Sequence, residues 1–271
     1  MKIFRYTDSA GQSNYGLLLP DGSRLRAEGD PFTDTLRPTD RAADVKRLLP
    51  PVVPTNIFCV GLNYQKHAEE TRQSVPEFPI LFMKGTNAVC AHGDAIVLPR
   101  ALQSDEVDYE CELAFVIGKA GKNITRKDGL KHVLGYTCAN DVSARDWQLR
   151  RGGGQWCRSK TFDTFCPLGP CLVTADEIDN PNSLSIKTVL NDEVVQDWDT
   201  GDMIFDIPAL IEFLSASTTL VPGTVILTGT PHGVGVARKP PLWLKPGDRV
   251  TVEIEKIGEL TNLVEEEKLI A

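Results

Sequence analysis

Residues 107–117 of this chain combine a strand pattern with an unusual density of acidic side chains. Polar and apolar residues alternate along the segment, which is typical of a β-strand with one buried face. The carboxylates of Asp108, Glu110 and Glu112 share the face opposite the apolar one, about 7 Å apart along the strand. Like charges at that spacing raise one another's pKa, and a bound hard cation would relieve the repulsion. A strand end that protrudes into water is the alternative, and this segment alone leaves both open.

The chain as a whole contains more strand-like than helix-like segments, and the two kinds do not alternate. This order favours an α+β, β-rich fold over a doubly wound sheet, with a mixed, largely antiparallel β-roll or barrel and peripheral helices. Short strands with turns are expected up to about residue 30, and a hairpin is expected at 191–193. The further expected strands are 57–61, 80–84, 95–98, 107–118, 133–140, 159–165, 184–190, 224–228 and 249–254. The expected helices are 41–49, 63–72, 127–132, 143–150 and 208–217.

A proline-rich run at residues 50–54 divides the chain into two parts of unequal length. Successive prolines stiffen a connection and are common between domains. We therefore predict a small N-terminal α+β domain over residues 1–52 and a larger domain over 53–271.

Composition and charge exclude several classes of function. A hydrophobic content of 41% and a charged content of 24% are those of an ordinary globular protein. The net charge of −8 argues against a nucleic-acid partner, which would need a basic face. No apolar run approaches the roughly 20 residues that cross a bilayer, so no membrane partner is expected. The first residues lack signal-peptide and transit-peptide features, and the seven cysteines form no CxxC pair. A cytoplasmic protein with reduced, buried thiols is the expectation.

A fourth carboxylate, Asp141, lies where the strand 133–140 gives way to the helix expected from residue 143. One interpretation is helix capping, in which Asp141 or Ser143 accepts hydrogen bonds from free N–H groups. The other brings Asp141 beside Glu110 and Glu112 on a neighbouring strand of the same sheet. Ligands that offer only oxygen favour magnesium, manganese or calcium over zinc.

His67 and Glu70 lie three residues apart in the helix expected over residues 63–72, and therefore share one helical face. An imidazole oriented by a carboxylate is a suitable general base, since its pKa lies near working pH. A solvated helix face with no catalytic role is the alternative.

Two further segments offer polar groups to a site. Lys160 has apolar and aromatic neighbours in sequence, so its ammonium group must either reach water or face a charged centre. In a site it would stabilise an oxyanion or neutralise the carboxylates. The glycine-rich loop 229–235 follows an apolar strand, and the N–H of Gly229 and the hydroxyl of Thr230 could bind a substrate carboxylate. A plain turn explains the same glycines, and their spacing does not match a nucleotide-binding motif.

Several short motifs together resemble the fumarylacetoacetate hydrolase family, in that family's order, from about residue 57 to the C-terminus. They are GLNYQKHAEE, PILFMKG, DYECELAFVIGK, NDVSARDWQ, SKTFDTFCPLGP, MIFDIPALI and ILTGTPHGVG. The first 50 residues are similar to the small N-terminal domain of many bacterial members. The run VGVARKPPLWLKPGD looks especially like animal mitochondrial members, although this chain begins without a transit peptide.

The resemblance implies a fold, a set of site residues and a cofactor. It implies the mixed β-roll of the family's C-terminal domain, in a homodimer, with magnesium or manganese held by Glu110, Glu112 and Asp141; calcium could replace either ion in crystals. His67 and Glu70 match the family's catalytic dyad on a lid helix, although Glu69 adjoins Glu70 and only the helical spacing favours the latter. The remaining matches are Lys160 to the active-site lysine, Gln148 and Thr230 to positions that touch the substrate, and Asp108 to a position outside the ligand set.

The function that these features imply is a metal-dependent reaction of a small 2-oxo or dioxo acid. The first prediction is hydrolysis of a C–C bond in an acylpyruvate or fumarylpyruvate. Decarboxylation of oxaloacetate, its keto–enol tautomerisation, and isomerisation of 2-hydroxyhepta-2,4-diene-1,7-dioate are alternatives, because all of them stabilise the same enolate. A non-catalytic, metal-containing protein that binds organic acids is the alternative from another class.

Overall fold

The computed structural model describes residues 1–269. Its strands, in chain order, are β1 Lys2–Thr7, β2 Ser13–Leu18, β3 Arg24–Glu28, β4 Arg37–Ala42, β5 Arg47–Leu49, β6 Asn56–Gly61, β7 Ile80–Met83, β8 Val89–Ala91, β9 Ala95–Leu98, β10 Val107–Asp108, β11 Cys111–Ile117, β12 Val133–Asn140, β13 Ser143–Ala144, β14 Cys166–Thr174, β15 Ser185–Leu190, β16 Glu193–Asp199, β17 Thr224–Leu227, β18 Arg249–Ile254 and β19 Gly258–Glu266.

The helices are short and lie between the strands. Within the described residues, three are α-helices: α1 Gln65–Glu70, α2 Cys157–Lys160 and α3 Ile207–Ser215. A π-helical turn covers Trp147–Arg151. Short 3₁₀ helices cover Pro31–Thr33, Thr86–Ala88, Arg126–His132, Ala175–Glu177, Thr200–Asp202 and Gly235–Ala237. Among residues 1–269, no helix combines the length and the apolar character needed to cross a membrane.

Two large mixed sheets form the body of the molecule. The first has twelve strands in the order β4-β3-β2-β1-β14-β12-β11-β17-β6-β7, with β5 paired to β1 and β8 paired to β14. The second has the order β16-β15-β18-β19-β9, and β10 pairs with β13 as a separate ribbon. Most strand pairs in the described part of the chain are antiparallel, and three are parallel: β14 with β8, β17 with β6, and β19 with β9. The predicted β-rich fold with mixed sheets is confirmed.

Apolar residues cover the centre of the first sheet on both faces, so its strands are almost entirely buried. All seven residues of β11 are buried, as are seven of the eight residues of β12. One core cluster contains Ala114 and Val116, and a second contains Leu113 and Phe115 from the other face of the same strand. Polar groups at the ends of these strands are therefore carried into the protein interior.

The strand predicted over residues 107–118 is interrupted in the structure. It divides into β10 and β11, with Tyr109 and Glu110 between them. At the break, the Glu110 N–H donates to Asn140 Oδ1 (3.0 Å), and Glu110 O accepts from the Asp141 N–H (2.9 Å). Side-chain pairing thus replaces part of the strand ladder, and the prediction of one continuous strand is wrong at this point.

Three predicted elements differ from the structure because distant contacts override local propensity. Residues 41–49, predicted as a helix, contain the end of β4 and all of β5, which pairs with β1. Residues 159–165, predicted as a strand, contain the end of α2 and a turn. The helix predicted over 143–150 begins as β13, which pairs with β10, before the π-helical turn.

The N-terminal strands join the large sheet directly. Lys2 and Ile3 of β1 pair with Val173 and Leu172 of β14. Residues 1–52 therefore extend the sheet that carries the rest of the fold. The division into domains at residue 52 stays a prediction.

Candidate active site

Three buried carboxylates meet in the middle of the large sheet, at the end of two central strands where β12 ends and β11 begins. Cys111 pairs with Asn140, so the adjoining residues Glu110 and Asp141 lie side by side across the two strands. Glu112 follows two residues after Glu110, on the same side of the sheet. Carboxylate oxygens of Glu110, Glu112 and Asp141 lie within 4.8 Å of one another.

Two lysines are buried against these carboxylates. Lys160 Nζ donates to Glu110 Oε2 and to Asp141 Oδ2, both at 2.7 Å. Lys84 Nζ donates to Asp141 Oδ1 and to the carbonyl of Val142. Lys160 is 2% exposed, so of its two predicted positions it takes the one at a charged centre. Its contacts are those of a group that neutralises carboxylates.

Arg145 connects the carboxylate cluster to the rest of the pocket. Its guanidinium donates to Glu110 Oε1 (2.6 Å), to Asp108 Oδ2 (2.8 Å) and to Gln148 Oε1 (2.8 Å). Because one planar group makes all three bonds, the positions of these acceptors are fixed relative to one another.

Asp108 lies beside the cluster and is not a member of it. Besides Arg145, it accepts hydrogen bonds from the N–H groups of Gly235 (2.8 Å) and Val236 (3.0 Å). Asp108 thus holds the glycine-rich loop and orients Arg145, and its place outside the ligand set stays a prediction. Leu242 O would lie 1.9 Å from a Cβ at Gly235, so a side chain does not fit at this junction.

The charges of this buried network do not balance. Four carboxylates (Asp108, Glu110, Glu112 and Asp141) face three cations (Lys84, Arg145 and Lys160).

The excess negative charge falls on Glu112. Burial raises the pKa of Glu112 well above its usual range, and the Asp141 and Glu110 carboxylates raise it further. Burial acts in the same direction on Glu110, but Arg145 and Lys160 outweigh it and lower the pKa of Glu110. A positive charge is therefore missing on the side of Glu112.

A divalent cation fits this position. Glu112 Oε2 accepts from the Gly229 N–H (2.6 Å), whereas Oε1 has no hydrogen-bond partner within residues 1–269. Three carboxylates with one excess charge form a donor set of hard oxygens, which suits magnesium or manganese. The residues present could hold such an ion.

His67 and Glu70 form a hydrogen-bonded pair on α1. His67 Nδ1 lies 2.8 Å from Glu70 Oε1, and both Glu70 oxygens accept from the Gly233 N–H at 3.0–3.1 Å. With Nδ1 committed to Glu70, Nε2 is the ring nitrogen left to exchange a proton. The neighbouring Glu69 instead pairs with the exposed Lys66 (2.8 Å).

The helix that carries this pair is tied to the protein at its beginning. The Asn63 side chain exchanges hydrogen bonds with the backbone of Phe205 and donates to Thr228 O. The Lys66 N–H donates to Asp202 Oδ2 (2.9 Å). These contacts position the short helix α1 over the pocket.

The two predicted substrate-binding residues of the glycine-rich loop have different surroundings. Thr230 lines the cavity, and its hydroxyl oxygen accepts from Gln196 Nε2 (2.9 Å). Gly229 adopts a positive φ of 96°, and a Cβ there would lie 2.8 Å from Asn63 Cβ. Its N–H points to Glu112, so it supports the carboxylate cluster, and its role as a substrate contact stays a prediction.

One cavity of about 510 Å³ brings these groups together. Its polar lining includes His67, Glu70, Glu110, Glu112, Asp141, Arg145, Gln148, Lys160 and Thr230. Apolar walls come from Val60, Leu62, Phe82 and Trp156 among others. A space of this size and character is typical of a small-molecule site.

Sequence reasoning alone assigns no role to Lys84, Arg145 or Gln196, all of which the structure places in this network. A weak signal exists for two of them. Lys84 ends an apolar segment, and Arg145 follows Asp141 by four residues. Gln196 lies on β16 in the second sheet and gives no local signal, because only the packing of the two sheets brings it to the site.

Comparison with known proteins is consistent with this site. The sequence profile described as the fumarylacetoacetate (FAA) hydrolase C-terminal domain matches residues 56–265. The human protein named oxaloacetate tautomerase FAHD2A, mitochondrial, is 51% identical over 222 residues, which cover 82% of this chain and 70% of that protein. The Xenopus laevis protein named oxaloacetate tautomerase fahd2, mitochondrial, is 50% identical with 82% and 69% covered. Both names place those relatives in mitochondria, so the cytoplasmic location stays a prediction for this chain.

A solved structure extends the similarity to nearly the whole chain. It is the crystal structure of 5-carboxymethyl-2-hydroxymuconate delta-isomerase from Mycobacterium smegmatis, with a TM-score of 0.85 and 37% identity. The match covers 98% of this chain and 100% of that one. The N-terminal strands, which the sequence profile omits, are therefore included in the structural match.

Proposed function

The chain belongs to the fumarylacetoacetate hydrolase family of enzymes, which confirms the resemblance seen in its motifs, and on that premise we propose that it is a keto–enol tautomerase of oxaloacetate that depends on a divalent cation. The names of the relatives at about 50% identity support oxaloacetate as the substrate. Hydrolysis of an acylpyruvate, the first prediction from the sequence, has less support and stays a prediction.

One observation carries this proposal: an imidazole with a carboxylate partner shares a cavity with a carboxylate cluster that lacks one cation. His67 is close enough to Glu110 to contribute to lowering that residue's pKa. A proton-transfer group and a charge-stabilising centre thus act on the same small volume. A structural metal site would need no such base, which disfavours the non-catalytic alternative.

The proton transfer follows from the arrangement of the dyad. When bound by Glu110, Glu112 and Asp141, a divalent cation supplies Lewis acidity that stabilises negative charge on the oxygens of a 2-oxo acid. His67 Nε2 takes a proton from C3 of the keto form, and the Glu70 carboxylate stabilises the resulting imidazolium. His67 then returns the proton to the 2-oxygen, which gives the enol. The product is an isomer of the substrate, so no water or other reactant is consumed.

The outer part of the cavity supports a substrate with two carboxylates. Arg72 and Lys239 line it, and within the described residues 1–269 neither forms an ion pair. The inner cations Arg145 and Lys160, by contrast, are already paired with carboxylates. Two cations without partners at the mouth of the cavity favour a dianion over a monocarboxylate.

A homodimer, which the family resemblance implies, belongs to this proposal. Strand β7 is an edge of the large sheet, and its Leu81 and Met83 side chains are exposed. An apolar edge of this kind supports association, because it would otherwise remain in water. Light scattering on the purified protein measures the mass directly.

A panel of substrates tests the proposal. Conversion of enol-oxaloacetate to the keto form is followed by ultraviolet absorbance with magnesium, and the rate with magnesium alone is subtracted. We expect the protein to accelerate this conversion and to release neither pyruvate from oxaloacetate nor acetate from acetylpyruvate. Acetate release without tautomerisation would instead assign a hydrolase, and no turnover across the panel with tightly bound metal would favour the non-catalytic alternative.

A further inference from the structure

Gln196 is buried between the two sheets and makes a complete set of hydrogen bonds. It lies on β16, at the edge of the second sheet, and is 2% exposed. Its Oε1 accepts from the Cys111 N–H (3.1 Å) and from the Thr188 hydroxyl (2.8 Å). Its Nε2 donates to Thr230 Oγ1 and to Pro231 O, both at 2.9 Å.

These partners allow only one orientation of the Gln196 amide. The backbone N–H of Cys111 can only donate, so it requires the oxygen of the amide. The carbonyl of Pro231 can only accept, so it requires the nitrogen. Rotation of the amide by 180° would place donor against donor and acceptor against acceptor.

The fixed amide determines the direction of the Thr230 hydroxyl. Gln196 Nε2 donates to Pro231 O and Thr230 Oγ1 at 2.9 Å, and to His232 O at the longer distance of 3.5 Å. An amide nitrogen can only donate. Thr230 therefore acts as the acceptor in that bond, and its own proton must point elsewhere. Thr230 is 4% exposed and lines the cavity, so the cavity offers the direction for this proton.

The Cys111 thiol is the competing acceptor, because it also lies beside Thr230. Cys111 is a free cysteine, and its side chain is completely buried. A neutral sulfur is a weak acceptor, and a carboxylate or enolate oxygen is a much stronger one.

We infer that Gln196 is a positioning residue that makes the Thr230 hydroxyl an obligatory hydrogen-bond donor to a substrate oxygen. The inference rests on the proposed function, in that a 2-oxo acid occupies the cavity. It assigns to the second sheet a role in substrate binding, because Gln196 on β16 bonds directly to Thr230 in the cavity wall.

A double-mutant cycle tests the inference. The variants Thr230→Val and Gln196→Met each remove one member of the pair with little change of shape. We expect each to raise the KM for oxaloacetate about tenfold, as for loss of a hydrogen bond to a charged group, with a smaller effect on kcat. Because both act through one hydroxyl, we expect the double variant to show about the same tenfold increase.

Two controls separate this role from a structural one. Thr188→Val removes another hydroxyl from Gln196 and leaves the bonds to Cys111 and Thr230, so we expect a lower Tm with an unchanged KM. Thr230→Ser keeps the hydroxyl and should retain the wild-type KM. Increases in KM that multiply in the double variant, or a Thr230→Val variant with unchanged KM, would overturn the inference and leave the tautomerase intact. A wild type without tautomerase activity would overturn the proposed function and this inference with it.

Discussion

The buried cations of this site each pair with a carboxylate of opposite charge, whereas one buried carboxylate has no such partner among the described residues. Lys84, Lys160 and Arg145 each contact a carboxylate that is itself buried. Removing one partner from such a network leaves an uncompensated buried charge, which costs about 3–5 kcal/mol. Glu112 is the exception, because its nearest charged neighbours include two further carboxylates. The metal proposal depends on this imbalance.

Glu112→Gln should therefore stabilise the metal-free protein. The pKa of Glu112 lies above its reference value of 4.5 in the folded protein, so the ionised form destabilises the fold increasingly as the pH rises above that value. The glutamine carries no charge and still accepts from Gly229. At neutral pH we expect a metal-free Tm about 3 °C or more above that of wild type, and a difference that disappears near pH 4.5.

Magnesium should reverse the order of thermal stability of wild type and Glu112→Gln. Wild type should gain thermal stability with added magnesium, whereas Glu112→Gln should gain little, which scanning fluorimetry with and without a chelator would measure. A metal-free variant less stable than wild type at every pH would contradict the charge imbalance.

The cations at the mouth of the cavity, Arg72 and Lys239, should contribute to substrate binding. Replacing Arg72 and Lys239 by glutamine should raise the KM for oxaloacetate about fivefold, because exposed ion pairs contribute up to about 1 kcal/mol each. The KM of the 4-methyl ester of oxaloacetate, which lacks the second charge, should not change. Lys66→Gln serves as the control, since Lys66 pairs with Glu69 on the outside of α1. An equal effect on the diacid and the ester would exclude a role in recognising the second carboxylate.

At the scale of elements, the short helix α1 and the glycine-rich loop act as one unit. Both oxygens of Glu70 accept from the Gly233 N–H, and Oε1 also contacts His67. The helix has only six residues, so its position depends on these contacts and on its anchored beginning.

Two adjacent glutamates on α1 offer a matched test of the dyad. Glu70→Gln should lower kcat roughly 10²-fold or more, because the imidazolium of His67 loses its carboxylate partner. Glu69→Gln should leave kcat within about twofold, since the exposed side chain of Glu69 bonds to Gln65 and Lys66 on the outer side of α1. Steady-state rates of oxaloacetate tautomerisation distinguish the two, and equal rates would remove Glu70 from the mechanism.

The elements that the sequence predicts well are those whose pattern is dictated by burial. The predicted strands 95–98, 133–140 and 249–254 coincide with β9, β12 and β18. Their apolar periodicity reports one or two buried faces. The hairpin at 191–193 also forms, with positive φ at Asn191 and Asp192.

The elements that the sequence misses are set by partners far along the chain. Strand β5 forms because Leu48 pairs with Tyr6 of β1, which is more than 40 residues away. The break before β11 depends on the Asn140 side chain, and the role of Gln196 on packing between sheets. Glu110, Glu112 and Asp141 could be grouped in advance because they lie at the ends of β11 and β12, which are consecutive strands of one sheet and pair directly. The pairing of β5 with β1 and the side-chain contacts of Asn140 and Gln196 produce no periodic pattern in the sequence.

For the whole molecule, the N-terminal segment and the large sheet form one continuous structure. Strand β1 pairs with β14, and its Ile3 belongs to one core cluster while Phe4 and Tyr6 belong to the other. Each buried side chain of this size contributes about 1.5–3 kcal/mol. We therefore expect the site to depend on strands that contribute none of the residues lining its cavity.

Deletion of residues 1–52 should destabilise the remaining chain severely. It would uncover the edge of β14 and the apolar side chains that pack against β1. We expect the fragment 53–271 to be insoluble, or to unfold at least about 10 °C below the full chain in a thermal melt. A soluble fragment with wild-type Tm and activity would instead establish residue 52 as a boundary between independent folding units.

The central claim is that one divalent cation binds among Glu110, Glu112 and Asp141, beside the His67–Glu70 pair. A crystal structure of the manganese-loaded protein, with anomalous scattering collected at the manganese edge, tests it most directly. We expect one strong anomalous peak in the cavity, within coordination distance of an oxygen from each of the three carboxylates. A cavity without such a peak under saturating manganese, or a peak held by other residues, would contradict the claim.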